Sequence, residues 1–114
     1  MRDTTTLFDG ANDKQMFAEV IIDIIKMQHK EGIQLENIPL GIKRLEDLDL
    51  FESTIGIPRL QEIAKIQGKP GEDWKVTVQR MLGLFCHIGE IKKYSEGIYR
   101  LSKDGRIYKH LAEN

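Results

Sequence analysis

The fold of this chain is decided by residues 82–106, which contain the segments LGLFCHIGEI at 82–91 and GIYRLSKDGR at 97–106. The first segment ends a helical pattern at Gly89, because glycine readily leaves a helix in the left-handed conformation. Two short extended runs follow, Glu90–Tyr94 and Ile98–Leu101, and they flank the tight-turn sequence Ser95-Glu96-Gly97. A last short helical piece is predicted at Lys103–Leu111. The order is therefore helix, β-hairpin and helical tail.

Two helices are predicted between Ile57 and Gly89. Pro58 suits the first turn of a helix, which ends at Gly68 before the short turn Lys69-Pro70-Gly71. Glu72 and Asp73 then open the second helix, because negative charge suits the positive end of the helix dipole. The predicted buried stripes are Leu60, Ile63 and Ala64, with Ile66 as a further candidate, on the first helix, and Trp74, Val78, Met81, Leu82 and Phe85 on the second.

The segments at 82–91 and 97–106 resemble the winged-helix family. In that family the second helix of the motif ends at a glycine, a strand and the wing tip follow, and the second strand commonly ends in Tyr-x-Leu-Ser/Thr-x-x-Gly. Tyr99, Leu101, Ser102 and Gly105 match that pattern. The resemblance covers about half the chain. It implies a mainly α fold with a small β-hairpin (α+β), a winged helix-turn-helix with an extra N-terminal helical segment, in a single domain over residues 1–114.

The region before this motif is predicted to divide into a loose terminus at 1–11 and an N-terminal helical segment at 12–56, followed by the helix-turn-helix plus wing at 57–111. A helix is predicted at Lys14–Lys30. Most of its apolar residues fall at helical spacing, namely Phe17, Val20, Ile21, Ile24, Ile25 and Met27. Ile22 is also apolar but lies off this stripe. A helix that is apolar on more than one side is often covered twice.

Two interpretations of this helix remain open. It can carry a dimer interface formed by Phe17, Ile21, Ile24 and Ile25, or it can only cover the core of its own domain. Gly32 is the predicted stop. Beyond it, Leu40–Leu50 is predicted as a short helix and residues 51–56 as a connector.

The bulk composition fits a small globular protein. The 114 residues suit one domain that buries an ordinary core. Cys86 stands alone, so no internal disulfide can form. No apolar run approaches the roughly 20 residues of a membrane helix, and residues 1–10 carry two aspartates and no apolar stretch. We expect a soluble, cytoplasmic protein.

Charge is distributed unevenly although the net charge is only −1. Residues 1–56 hold 6 Lys and Arg against 11 Asp and Glu, a net of −5. Residues 57–114 hold 11 against 7, a net of +4. A polyanion is therefore expected to meet the C-terminal half, and the acidic N-terminal half is available to a protein partner.

The candidate DNA-binding residues of the second helix are Lys75, Val76, Gln79 and Arg80. Val76 and Arg80 lie on the side opposite the apolar stripe, with Lys75 and Gln79 on its flank. A two-helix unit with a short turn can place this helix in the major groove. Gln79 and Arg80 can bind base edges, and Lys75 can contact phosphate or base. Gly83 would allow close approach of the backbone. The competing interpretation is an ordinary polar surface, and Glu72 and Asp73 would be unfavourable near phosphate.

The candidate DNA-binding residues of the hairpin are Lys92, Lys93, Ser95 and Arg100. A basic hairpin beside a recognition helix can reach the DNA backbone or the adjacent minor groove. The competing interpretation is a solvated hairpin whose lysines prevent edge-to-edge aggregation.

Residues that carry enzymatic or metal chemistry are scattered. The histidines, His29, His87 and His110, lack metal-ligand spacing. Cys86 and His87 are adjacent, and neighbouring helix positions point about 100° apart. The sequence contains no CxxC, phosphate-binding glycine loop or nucleophile elbow. We expect no enzyme activity, cofactor or metal.

These observations predict a sequence-specific protein that binds double-stranded DNA and regulates transcription, acting as a homodimer because two half-sites multiply affinity. The alternative is a winged-helix module for protein–protein contact in a larger complex, which needs no DNA. A replication or plasmid-maintenance factor is a third possibility that would still bind DNA.

Overall fold

The computed structural model describes residues 7–8, 12–38, 40, 57–94 and 99–113. Within these ranges the chain is mainly helical with a small two-stranded antiparallel sheet, as predicted for an α+β fold. The helices are α1 (Asn12–Gln28), α2 (Ile57–Ile66), α3 (Trp74–His87) and α4 (Arg106–Ala112), the strands are β1 (Ile91–Lys93) and β2 (Tyr99–Leu101), and a 3-10 turn spans Leu35–Asn37. None of the described helices combines the length and apolar character that a membrane span needs.

Several predicted features fall outside these ranges. The short helix predicted at Leu40–Leu50 lies outside the described residues except for Leu40, which is buried. The connector at 51–56 and the hairpin turn at 95–97 also lie outside them.

Helix α1 is the centre of the core. Seven of its apolar residues are at most 2% exposed: Phe17, Ala18, Val20, Ile21, Ile22, Ile24 and Ile25. Met27, in the last turn, was predicted to belong to the same apolar set but is 66% exposed. The predicted dimer interface of Phe17, Ile21, Ile24 and Ile25 is therefore wrong, because the chain itself leaves these four side chains no surface for a second copy. The other interpretation, that α1 covers the core of its own domain, is confirmed.

The N-terminal end of the chain also reaches the core. Phe8 is 4% exposed, and its ring centre lies 5.6 Å from that of Phe85. Gln15 holds this segment in place, because its Oε1 accepts hydrogen bonds from the backbone N–H groups of Leu7 at 2.7 Å and Phe8 at 3.2 Å. The prediction of a loose terminus is wrong at residues 7 and 8, and the rest of 1–11 lies outside the described residues.

Helices α2 and α3 follow the predicted stripes with one exception. Leu60, Ile63 and Ala64 are buried, but Ile66, the last residue of α2, is 40% exposed. The apolar stripe predicted for α3 is buried. Helix α3 begins after Asp73, whose side chain accepts a hydrogen bond from the N–H of Lys75 at 3.0 Å. Gly89, the predicted stop, follows the last residue of α3 by two positions and adopts a φ of 84°.

The hairpin is attached to the core at its base. Ile91 pairs with Leu101, and both are buried. The chain coming from α1 joins the same strand, because the N–H of Leu40 donates to the carbonyl of Tyr99 at 2.8 Å. Strand β2 therefore has hydrogen-bonded partners on both sides, β1 and Leu40, which fixes the hairpin relative to α1.

Candidate nucleic-acid interface

Helix α3 buries one face and presents the opposite face to solvent. Val76, Gln79 and Gly83 are exposed, and Val76 retains 46% of its accessible surface. Because successive members of this set are three and four residues apart, they lie along one side of the helix. Lys75 is half-buried on the flank, with its Nζ 5.7 Å from the centre of the Trp74 ring.

Gly83 has no role in the packing of the described chain. Glycine inside a helix costs about 1 kcal/mol relative to alanine. The backbone of Gly83 is helical, and a Cβ added there would meet no heavy atom within 4 Å. Neither a left-handed backbone nor a close neighbour therefore accounts for glycine at this exposed position.

Arg80 is held by other residues of the chain. Its Nη1 donates to Oε2 of Glu72 at 2.7 Å, and its Nη2 donates to Oε1 of Glu72 and to Oε1 of Gln67, the latter at 2.7 Å. The side chain of Arg80 is 33% exposed. Arg80 thus holds the segment before α3 against the helix. To bind a base, its guanidinium would have to break these hydrogen bonds.

The negative charge of Glu72 is balanced by Arg80 inside this cluster. The hydrogen bond from Arg80 lowers the pKa of Glu72 to about 2, and the Thr77 hydroxyl donates a further bond at 2.8 Å. Asp73, the N-cap of α3, is occupied with the N–H of Lys75. Glu72 and Asp73, the carboxylates that would be unfavourable near phosphate, therefore both have hydrogen-bonding partners at the start of the helix.

Gln67 connects this cluster to the rest of the core. Its Nε2 donates to Oδ2 of Asp13 and to the sulfur of Met81, both at 3.0 Å. One amide therefore joins the start of α1, the end of α2 and the middle of α3. The sequence did not predict this role of Gln67, because helical spacing gives no information about a side chain that follows the last turn of a helix.

The hairpin presents cations on both of its faces, because side chains alternate along a strand: Lys92 and Arg100 lie on the face away from Ile91 and Leu101, and Lys93 lies on the same face as these two. Lys92 pairs with Arg100 across the strands, and Lys93 pairs with Tyr99. The guanidinium carbon of Arg100 lies 4.6 Å from the centre of the Tyr94 ring. Lys92, Lys93 and Tyr94 are exposed and Arg100 is half-buried, whereas Ser95 lies outside the described residues.

A buried carboxylate fixes the base of the hairpin to α4. Glu90 is 3% exposed, and its side chain accepts hydrogen bonds from the N–H groups of Arg106 at 3.1 Å and Ile107 at 3.0 Å. These are donors that the first turn of a helix leaves unpaired. Gly105 allows the approach, because a Cβ there would lie 3.0 Å from Cα and 3.1 Å from the carbonyl oxygen of Glu90. Sequence reasoning did not identify Glu90.

The Cys86–His87 pair has the arrangement expected from helix geometry. His87 is exposed and Cys86 is half-buried. Burial raises the pKa of the Cys86 thiol, which disfavours the reactive thiolate. In the part of the chain that the structure describes, no three His, Cys, Asp or Glu side chains are grouped so that they could hold a metal ion.

The described members of the predicted DNA-binding set lie on two consecutive elements. Lys75, Val76, Gln79 and Arg80 are on α3, and Lys92, Lys93 and Arg100 are on the hairpin that follows Gly89. The guanidinium of Arg80 is hydrogen-bonded within the chain, and that of Arg100 lies against the Tyr94 ring. Neither a protein-family model nor a curated protein nor a solved structure matches this chain.

Proposed function

We propose that this chain is a winged helix-turn-helix protein that binds double-stranded DNA, with α3 in the major groove and the hairpin on the backbone or in the minor groove. The order α2, turn, α3 and hairpin supports this proposal, as does the attachment of β2 to Leu40 and of the hairpin base to α4 through Glu90. A hairpin fixed on two sides can hold its cations at a constant distance from α3.

The observation that carries the proposal is Gly83 on the exposed face of α3. A glycine that destabilises its helix and fills no need within the described chain is explained if another molecule must approach the helix closely. The major groove admits an α-helix, and the neighbouring side chains, Val76 and Gln79, are of types that contact base edges.

Electrostatics support a polyanionic partner. Residues 57–114 carry a net charge of +4. Three of the acidic residues in this half are already engaged, Glu72 by Arg80, Asp73 by the N–H of Lys75 and Glu90 by the start of α4. Lys92 and Lys93 are exposed on the hairpin, where they can contact phosphates.

Duplex binding should depend steeply on salt. With about four phosphate contacts, the affinity for a labelled duplex of random sequence should fall roughly 150-fold between about 50 and about 200 mM salt, because each contact releases counterions. Fluorescence anisotropy of the full chain measures this directly. Absence of binding at about 50 mM salt would reject the proposal.

Regulation of transcription as a homodimer belongs to the same proposal, because two half-sites multiply affinity and specificity. The dimer would use a surface other than Phe17, Ile21, Ile24 and Ile25, which are buried. Sedimentation of the full chain at high concentration tests this part separately, and a monomer there would reject the dimer without rejecting DNA binding.

A protein-binding role is the second candidate. Two exposed apolar side chains favour it, Met27 at 66% and Ile33 at 40% exposure, and both line a cleft of about 360 Å³ after α1. Residues 1–56, which include this cleft, carry a net charge of −5. A chain that binds no duplex at low salt would favour this candidate.

A further inference from the structure

The exposed face of α3 combines an apolar side chain and an amide that suit one kind of base pair. Val76 and Gln79 are both exposed and lie three residues apart on the same side of the helix. In the major groove, apolar side chains contact the C5-methyl group of thymine, and glutamine bonds to N6 and N7 of adenine. Both recognised groups belong to A·T pairs.

The two residues of α3 that could select guanine, Lys75 and Arg80, are both engaged with their own chain: the Nζ of Lys75 lies 5.7 Å from the centre of the Trp74 ring, and Arg80 is hydrogen-bonded. Recognition of guanine uses two neighbouring donors of a guanidinium on O6 and N7. Each such donor pair of arginine includes a hydrogen of Nη2. Because Nη2 donates to both Glu72 and Gln67, neither donor pair of Arg80 is available to a base.

We infer that α3 reads A·T base pairs, with Val76 against a thymine methyl group and Gln79 on an adenine edge. This inference rests on the proposed function and deepens it. Valine is short, so Val76 can reach a methyl group only if the helix lies close to the bases. Gly83, seven positions further along the same side, permits that approach because nothing projects from the helix there.

The test compares duplexes that differ by the methyl group. The full chain is titrated with alternating dA–dT, alternating dA–dU and alternating dG–dC duplexes of equal length at about 50 mM salt. Removing the thymine methyl group should weaken binding of the unmodified protein roughly fourfold, the effect of burying about one methyl group. Alternating dG–dC should bind more weakly than alternating dA–dT.

Two variants assign these effects to residues. Val76→Ser should bind alternating dA–dT and dA–dU duplexes equally, because a hydroxyl replaces the apolar contact to the methyl group. Gln79→Ala should retain the methyl effect and lose most of the preference for dA–dT over dG–dC. The matched controls are Ile33→Ala and Gln34→Ala, exposed residues after α1 that should leave both preferences unchanged.

The outcomes separate this inference from the proposed function. Equal affinity of the unmodified protein for dA–dT and dA–dU, or a methyl effect that persists in Val76→Ser, overturns the reading of thymine and leaves duplex binding standing. A preference for dG–dC that Arg80→Ala abolishes overturns the exclusion of Arg80. Failure to bind any of the three duplexes rejects the proposed function itself.

Discussion

Replacing Glu90 by alanine is expected to lower the free energy of unfolding by about 3 kcal/mol, since hydrogen bonds to a charged group contribute about 1.5–3 kcal/mol each and the N–H of Ile107 would stay buried without an acceptor. Glu90 is 3% exposed and accepts from the N–H groups of Arg106 and Ile107. Alanine would leave both donors without an acceptor and open a space beneath Gly105. The measurement is chemical denaturation of the two proteins followed by circular dichroism.

Two further variants sharpen this result. Glu90→Gln keeps one acceptor oxygen and should lose about half as much stability as Glu90→Ala. Glu113→Ala removes an exposed carboxylate at the other end of α4 and should leave stability within about 0.5 kcal/mol of the unmodified protein. If Glu90→Ala unfolded at the same denaturant concentration as Glu113→Ala, the hydrogen bonds between Glu90 and the start of α4 would not form in solution.

The double substitution Lys92→Ala/Lys93→Ala is expected to weaken duplex binding roughly 100-fold at about 100 mM salt, because each lost phosphate contact contributes about one logarithmic unit at that concentration. The slope of affinity against salt should become shallower by about 2, as expected for two contacts. Both lysines are exposed on β1, so stability should change little. Anisotropy titrations at several salt concentrations give both numbers.

The charge-matched control is Lys26→Ala/Lys30→Ala. These two lysines are also exposed, but Lys26 lies in the last turn of α1 and Lys30 just after it, away from the hairpin in sequence. The control should keep the slope of the unmodified protein. If both double variants lowered affinity equally, binding would follow net charge alone and the hairpin would have no special role.

Much of the architecture could be predicted because it follows from local spacing. The apolar stripe of α3 and its termination before Gly89 are set by residues within one or two helical turns of each other, and both predictions are confirmed. Thr77 was missed, since a hydroxyl is not counted as apolar. It is buried because Glu72 accepts its hydrogen bond.

The features that could not be predicted depend on contacts between distant residues. Phe8 has no helical or strand pattern around it, and its burial is decided by Phe85. For α1, the sequence indicates that several sides are apolar but not whether a second copy or the same chain covers them. Its spacing places Arg80 on the polar side of α3. Gln67, which precedes the turn between α2 and α3, accepts a hydrogen bond from its guanidinium and so helps to hold it against the chain.

Gly83→Ala tests the central claim most directly, because the same added methyl group should help folding and harm binding. We expect the free energy of unfolding to rise by about 0.5–1 kcal/mol, since alanine favours a helix interior and the added Cβ meets nothing within 4 Å. We expect duplex affinity to fall roughly tenfold, since a methyl group placed between helix and groove forces the two apart. Higher stability with unchanged duplex affinity would contradict the placement of this face of α3 against DNA.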